Sequence, residues 1–129
     1  MEWVLLLGRI LFGGFFVMGG AMHFMKMKGM AEMTKQRGVP MPEFAVIGTG
    51  MLIMLAGLGV IFGVYQSVAL LVLAAFLVVI TPIMHPYWKD TDPMMKMVNM
   101  QMFLKNMALL GAALALYVFS SDWPLTLTF

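Results

Sequence analysis

Apolar positions along the chain gather into four long runs separated by polar breaks. The first runs from about Trp3 to Met25, the second from about Phe44 to Val64 and the third from about Gln66 to Met84. The fourth crosses the hydrocarbon from about Met100 to Phe119. Each is close to the roughly 20 apolar residues a helix needs to span a bilayer. Arg9 and His23 are the only ionisable side chains in the first run, and the second holds none. The pattern predicts an all-α polytopic membrane protein, a four-transmembrane-helix bundle, as one domain over residues 1–129. The start, Met1-Glu2-Trp3, lacks a basic n-region and no small-residue cleavage pattern follows. Span one therefore reads as a retained helix, not a signal peptide.

The breaks predict their own structure. Gly29 to Arg37 suits a short amphipathic helix, with Gly38 as its stop and Val39-Pro40-Met41-Pro42 as turn and extended chain. Almost nothing separates spans two and three at Tyr65, so they should form a tight antiparallel hairpin. Asp92-Pro93 reads as an N-cap followed by proline at the first helical position. The fourth helix should thus begin at Pro93, well before the hydrocarbon.

Composition agrees. Of 129 residues, 62% are apolar and 11% charged, against about 25% charged in ordinary soluble domains. This excludes a soluble enzyme, a disordered tail and a nucleic-acid binder. With no cysteine, the chain itself makes no disulfide, iron–sulfur cluster or thiol relay. No P-loop, dinucleotide glycine fingerprint or HExxH is present, and no serine or acidic residue has an evident catalytic neighbour. Lys26, Lys28, Lys35, Arg37, Lys89, Lys96 and Lys105 all belong to one face of the membrane, and only Arg9 lies near the other. By the positive-inside rule both termini should lie outside the cytoplasm. Trp3, Tyr65 and Trp123 suit one interface, and Tyr87 and Trp88 suit the other.

Glycine spacing predicts where helices meet. Arg9, Gly13, Phe16, Gly20 and His23 share one face of span one at 100° per residue. Gly59 and Gly63 form a GxxxG pattern in span two, alongside Gly48, Gly50, Ala56 and Gly57. Small residues let membrane helices approach closely. Arg9 and His23, fourteen residues apart, lie roughly 21 Å apart along the axis and belong to different sites. Arg9 reads as a snorkelling or carbonyl-bound structural arginine, or as a contact for an anion or a quinone head.

Candidate chemistry concentrates at the basic face. His23 closes span one, Thr81-Pro82 loosens the end of span three, His85-Pro86-Tyr87-Trp88 follows, and Lys105 and Asn106 stand where the fourth helix enters the hydrocarbon. His23, His85, Trp88, Lys105 and Asn106 are expected to form one polar pocket rimmed by aromatics. Such a pocket suits a quinone head, whose carbonyls accept from imidazole, ammonium or amide groups. The same residues would also serve simply to cap helices and anchor them at the headgroups. Haem would need both imidazoles on facing helices; prolines beside His85, where its helix should be ending, weigh against it. Methionine number is 17. Met22, Met25, Met27, Met30 and Met33 cluster in one segment, and Met94, Met95, Met97, Met100 and Met102 in another. Thioethers suit Cu(I), yet the expected cytoplasmic side and the lack of cysteine weigh against copper. Methionine also fills interfacial helices and partner surfaces.

Five motifs occur in order: Gly8-Arg9-Ile10-Leu11-Phe12-Gly13-Gly14; Gly38-Val39-Pro40-Met41-Pro42; the glycine-rich span two; His85-Pro86-Tyr87-Trp88; and Phe103-Leu104-Lys105-Asn106-Met107-Ala108-Leu109-Leu110-Gly111. Together they resemble the DoxX family of four-helix bacterial and archaeal membrane proteins. The resemblance implies residence in the bacterial or archaeal inner membrane. It is similar to the DoxD-type subunit of thiosulfate:quinone oxidoreductase, to proteins of redox and sulfur-stress complexes, and more distantly to membrane cargo receptors and receptor chaperones. By position, Arg9, His85, Trp88, Lys105 and Asn106 match the family's polar signature. Two departures stand out. Ile53 follows Gly50 where relatives often carry glutamate, and Pro86 follows His85 where an acidic residue is common. These departures weigh against autonomous catalysis. Three roles follow as expectations. The first is an accessory or anchoring subunit of a quinone-linked redox complex, surrounded by membrane lipid and partnered by other membrane subunits or copies of itself. The second is a catalytic quinone-reducing subunit acting on a sulfur compound such as thiosulfate. The third is a non-redox binding protein for copper or a client membrane protein.

Overall fold

A computed structural model describes residues 1–127. It contains α1 (Glu2–Met25), α2 (Met27–Gln36), α3 (Pro42–Phe62), α4 (Gln66–Met84) and α5 (Pro93–Val118), with short 3-10 turns at Tyr87–Lys89 and Ser120–Asp122. No strand occurs among the described residues. All but α2 are long and apolar enough to cross a membrane. The protein is an all-α polytopic membrane protein, and large apolar side chains such as Leu11, Leu55, Val68 and Leu104 face outward, as a lipid solvent allows.

Local signals set the element ends. The Asp92 side chain accepts the Met94 N–H at 3.3 Å and starts α5 at Pro93. The amphipathic α2 ends at Gln36, and Gly38 follows at φ 82°. α3 closes on Gly63, at φ 68°, with the Val64 N–H donating to the Gly59 carbonyl at 2.9 Å. This is the 6→1 bond of a Schellman closure, and α4 starts two residues later.

α3 is the centre of the packing. α1 crosses it antiparallel on a seam where Gly13 faces Gly57 and Gly20 faces Gly50. A Cβ on Gly13 would stand 2.6 Å from the Gly57 carbonyl oxygen, and one on Gly20 would stand 2.5 Å from that of Gly50. α2 and α4 also lie on α3, and α5 lies on α4. The core between them holds Phe12, Phe16, Ile53, Val60, Leu70, Leu73 and Leu77. α1 and α5 pack on α3 and α4 rather than on each other.

Of the two GxxxG glycines expected on a packing face, Gly59 does pack, against α4 rather than α1, and Gly63 serves otherwise. Gly59 meets the Val64 carbonyl and Ala69 Cβ, inside the α3–α4 hairpin. Gly63 lies past the helix as its left-handed cap, with the Thr126 side chain against it. The close approach to α1 belongs to Gly50 and Gly57.

The chain after α5 folds back over the opposite end of the bundle. Gln66 Nε2 donates to the Ser120 carbonyl at 2.6 Å, the Ser67 and Ser120 hydroxyls share a 2.6 Å bond, and the Leu127 N–H donates to the Phe62 carbonyl at 2.9 Å. Trp123, which the sequence suits to an interface, is instead 7% exposed inside this fold-back.

Candidate functional site

Two polar centres lie at opposite ends of the bundle. Arg9, fully buried, occupies the end carrying the fold-back. Its Nε donates to the Val60 carbonyl at 3.1 Å. One terminal nitrogen reaches Pro124 at 2.7 Å, and the other reaches Ile61 at 2.8 Å and Leu125 at 3.0 Å. The guanidinium also stands 5.1 Å from the centre of the Trp123 ring. Val60 and Ile61 belong to the last turn of α3, whose carbonyls have no partner within the helix. Arg9 therefore joins α1, the end of α3 and the C-terminal segment through their main chains. It does not line the cavity at the other end.

That cavity has a volume of about 480 Å³ and lies among all five helices. Its walls are mostly apolar, with Phe15, Phe16, Ile53, Phe76 and Leu77 among them. His23, His85, Lys105 and Asn106 line it together, alongside Thr34 and Thr49. Each polar group reaches it by a distinct local cause. His23 is carried on the last turn of α1, beside Gly50, where a Cβ would strike His23 Cβ at 2.5 Å. Its Nδ1 lies 2.9 Å from the Val46 carbonyl and 3.3 Å from Thr49 Oγ1. The bare Gly50 surface thus seats His23 against the first turns of α3.

α4 runs on through Pro82 to Met84 and ends at His85, where the following Pro86 disfavours a helical conformation. The His85 N–H still donates to the Thr81 carbonyl at 2.9 Å, and its ring turns to α5. Its Nδ1 lies 3.3 Å from Asn99 Oδ1, and Asn99 Nδ2 donates to the Asp90 carboxylate at 2.7 Å. Asn106, 7% exposed on α5, donates from Nδ2 to Thr81 Oγ1 at 3.2 Å, and that hydroxyl donates onward to the Leu77 carbonyl. The Lys105 ammonium stands 5.0 Å from the centre of the Phe15 ring and donates to Met102 Sδ at 3.7 Å. It bridges the gap between α5 and α1.

Trp88 stands elsewhere. It stacks edge-on with Tyr87 and Phe103, ring centres 5.3 and 5.9 Å away, half-exposed and outside the cavity. The aromatic walls come from Phe15, Phe16 and Phe76 instead. Sequence spacing also does not reveal Thr49, Asn99 and Asp90, whose contacts arise only when helices or loops meet. Met30, Met33 and Met84 line the cavity too, but Met22, Met94 and the rest of the methionine clusters do not. Among the described residues no group of three or more His, Cys, Asp or Glu side chains is placed to hold a metal ion.

Fold and site together define a small integral membrane protein whose helices enclose an apolar cavity with a few converging polar groups. The family model for DoxX matches residues 4–86, and the chain belongs to the DoxX family. The match takes in α1 to α4 with Arg9, His23 and His85. Trp88, Lys105 and Asn106 lie beyond it. No curated protein and no solved structure matches the chain.

Proposed function

We propose that this DoxX protein is an accessory, anchoring subunit of a quinone-linked membrane redox complex, and that its cavity holds the quinone ring. The observation carrying this reading is the convergence of His23, His85, Lys105 and Asn106 on one largely apolar cavity. Its volume, about 480 Å³, falls in the range of roughly 300–1,000 Å³ usual for small-molecule sites. A few polar groups in a largely apolar chamber suit a ring with polar substituents and a prenyl tail. The gap that Lys105 bridges between α1 and α5 offers the tail a way out toward lipid. The absence of cysteine and the departures from the family's acidic positions favour an anchoring role over autonomous catalysis. In this reading the cavity end, which carries Lys26, Lys28, Lys35, Arg37, Lys89 and Lys96, faces the cytoplasm.

A second reading has one observation in its favour. The thioethers of Met30, Met33 and Met84 line the same cavity as both histidines, a soft donor set suited to Cu(I).

Purification in mild detergent, followed by quinone extraction, metal analysis, a visible spectrum and identification of co-purifying chains, tests both. Bound quinone with a stable membrane partner is the expected result, and His85→Ala should lower retained quinone by more than half. Unchanged retention in His85→Ala would remove the cavity as the quinone site. Stoichiometric copper without quinone would favour the second reading.

A further inference from the structure

Both cavity histidines are held in one tautomer. The Val46 carbonyl can only accept, so its 2.9 Å contact places a proton on His23 Nδ1. Thr49 agrees with this. Its single hydroxyl proton is committed to the main-chain carbonyls of Ala45 and Val46, at 2.6 and 3.3 Å, so toward the ring it can only accept. At His85 the control is one residue more remote. The Asp90 carboxylate accepts from Asn99 Nδ2, which fixes which end of that carboxamide faces the ring. Asn99 Oδ1, an acceptor only, then requires the proton on His85 Nδ1.

A neutral imidazole protonated at Nδ1 presents Nε2 as an acceptor. Asn106 adds another. Its Nδ2 is turned to Thr81, whose own proton goes to Leu77, so the carboxamide oxygen is the end left free. The cavity therefore offers three acceptors, on His23, His85 and Asn106, against one strong donor, the Lys105 ammonium. An oxidised quinone has carbonyls that only accept, and only Lys105 answers them well. A quinol has two hydroxyls, each able to donate to an imidazole or carboxamide, and one of them can also accept from Lys105.

We infer that the cavity is built for the reduced, dihydroxylated form of the ring, and that Asp90, acting through Asn99, is the positioning residue that sets this preference at His85. The inference rests on the quinone reading of the same cavity and adds which redox form it holds.

The test uses the full chain in detergent with a short-tailed benzoquinone and, under argon, its chemically reduced quinol. Two added hydrogen bonds predict quinol binding about tenfold tighter than quinone. In Asp90→Asn, residue 99 is free to turn its carboxamide over, and His85 can shift its proton to Nε2. The quinol preference should then fall several-fold. The ¹⁵N spectrum of labelled histidine, which separates protonated from bare ring nitrogens, should show the His85 proton leaving Nδ1. Quinone bound as tightly as quinol would overturn the inference while leaving the quinone reading intact. Neither form binding would overturn both. An unprotonated His85 Nδ1 in the unsubstituted protein would remove the inference whatever the affinities.

Discussion

Replacing Gly20 with alanine tests whether the α1–α3 seam holds the bundle together. The new Cβ would stand 2.5 Å from the Gly50 carbonyl oxygen, 2.8 Å from Met54 Cβ and 3.1 Å from Met54 N. Non-bonded carbon contacts relax at about 3.5 Å, so α1 must retreat by nearly 1 Å. A retreat of that size forfeits a quarter to a half of the dispersion energy of each atom pair it separates, and overpacking of this kind costs about 1–3 kcal/mol. Gly14→Ala is the control, because nothing lies within 4 Å of its Cβ position. Both substitutions share the helix-propensity gain of up to about 1 kcal/mol, so the difference between them isolates the seam. Gly20→Ala should be less stable than Gly14→Ala by about 2 kcal/mol, roughly a thirtyfold change in the folding equilibrium. Reversible unfolding in mixed detergent micelles, followed by tryptophan fluorescence, measures it. If the two variants agree within about 0.5 kcal/mol, the glycine seam does not fix the α1–α3 distance.

Arg9→Met removes all four bonds from the guanidinium to the carbonyls of Val60, Ile61, Pro124 and Leu125. At the roughly 0.6 kcal/mol averaged by side-chain hydrogen bonds between membrane helices, this predicts a loss of about 2 kcal/mol. It also predicts a loosened C-terminal segment, read as faster proteolysis after residue 118, and equal proteolysis in the two proteins would refute the clamp. The orientation proposed from the basic residues predicts that a reporter fused after Phe129 is active outside the cytoplasm, and activity only inside would reverse it.

Signals carried within a turn or two of chain were legible in the sequence. Asp92-Pro93 marks the start of α5, Gly38 follows α2, and the short break at Tyr65 makes the α3–α4 hairpin. Each depends on backbone donors and dihedrals that one or two residues control. The face of α1 that carries Gly13, Phe16 and Gly20 was also legible, since a single helix fixes that periodicity. Its partner face on α3 was not. The GxxxG pattern of Gly59 and Gly63 competed with Gly50 and Gly57, and the choice turns on helix rotation and on a cap that removes Gly63 from the helix altogether.

The same division runs through the site. Depth along a helix follows from counting residues, so His23, His85, Lys105 and Asn106 could be assigned to one membrane leaflet, and they do meet at one cavity. Direction around the axis does not follow from depth. Trp88 shares that depth but turns onto Tyr87 and Phe103, because the 3-10 turn at Tyr87–Lys89 aims it away from the chamber. Hydrogen-bond polarity is less visible still. A histidine in a sequence is donor or acceptor with equal right, and only the Val46 carbonyl and the Asp90–Asn99 pair decide between them. The sequence therefore suggested donors for a quinone carbonyl, whereas the folded site presents mainly acceptors. On the quinol reading, the preference of the chamber rests on the Val46 carbonyl and the Asp90–Asn99 pair, groups that no motif contains.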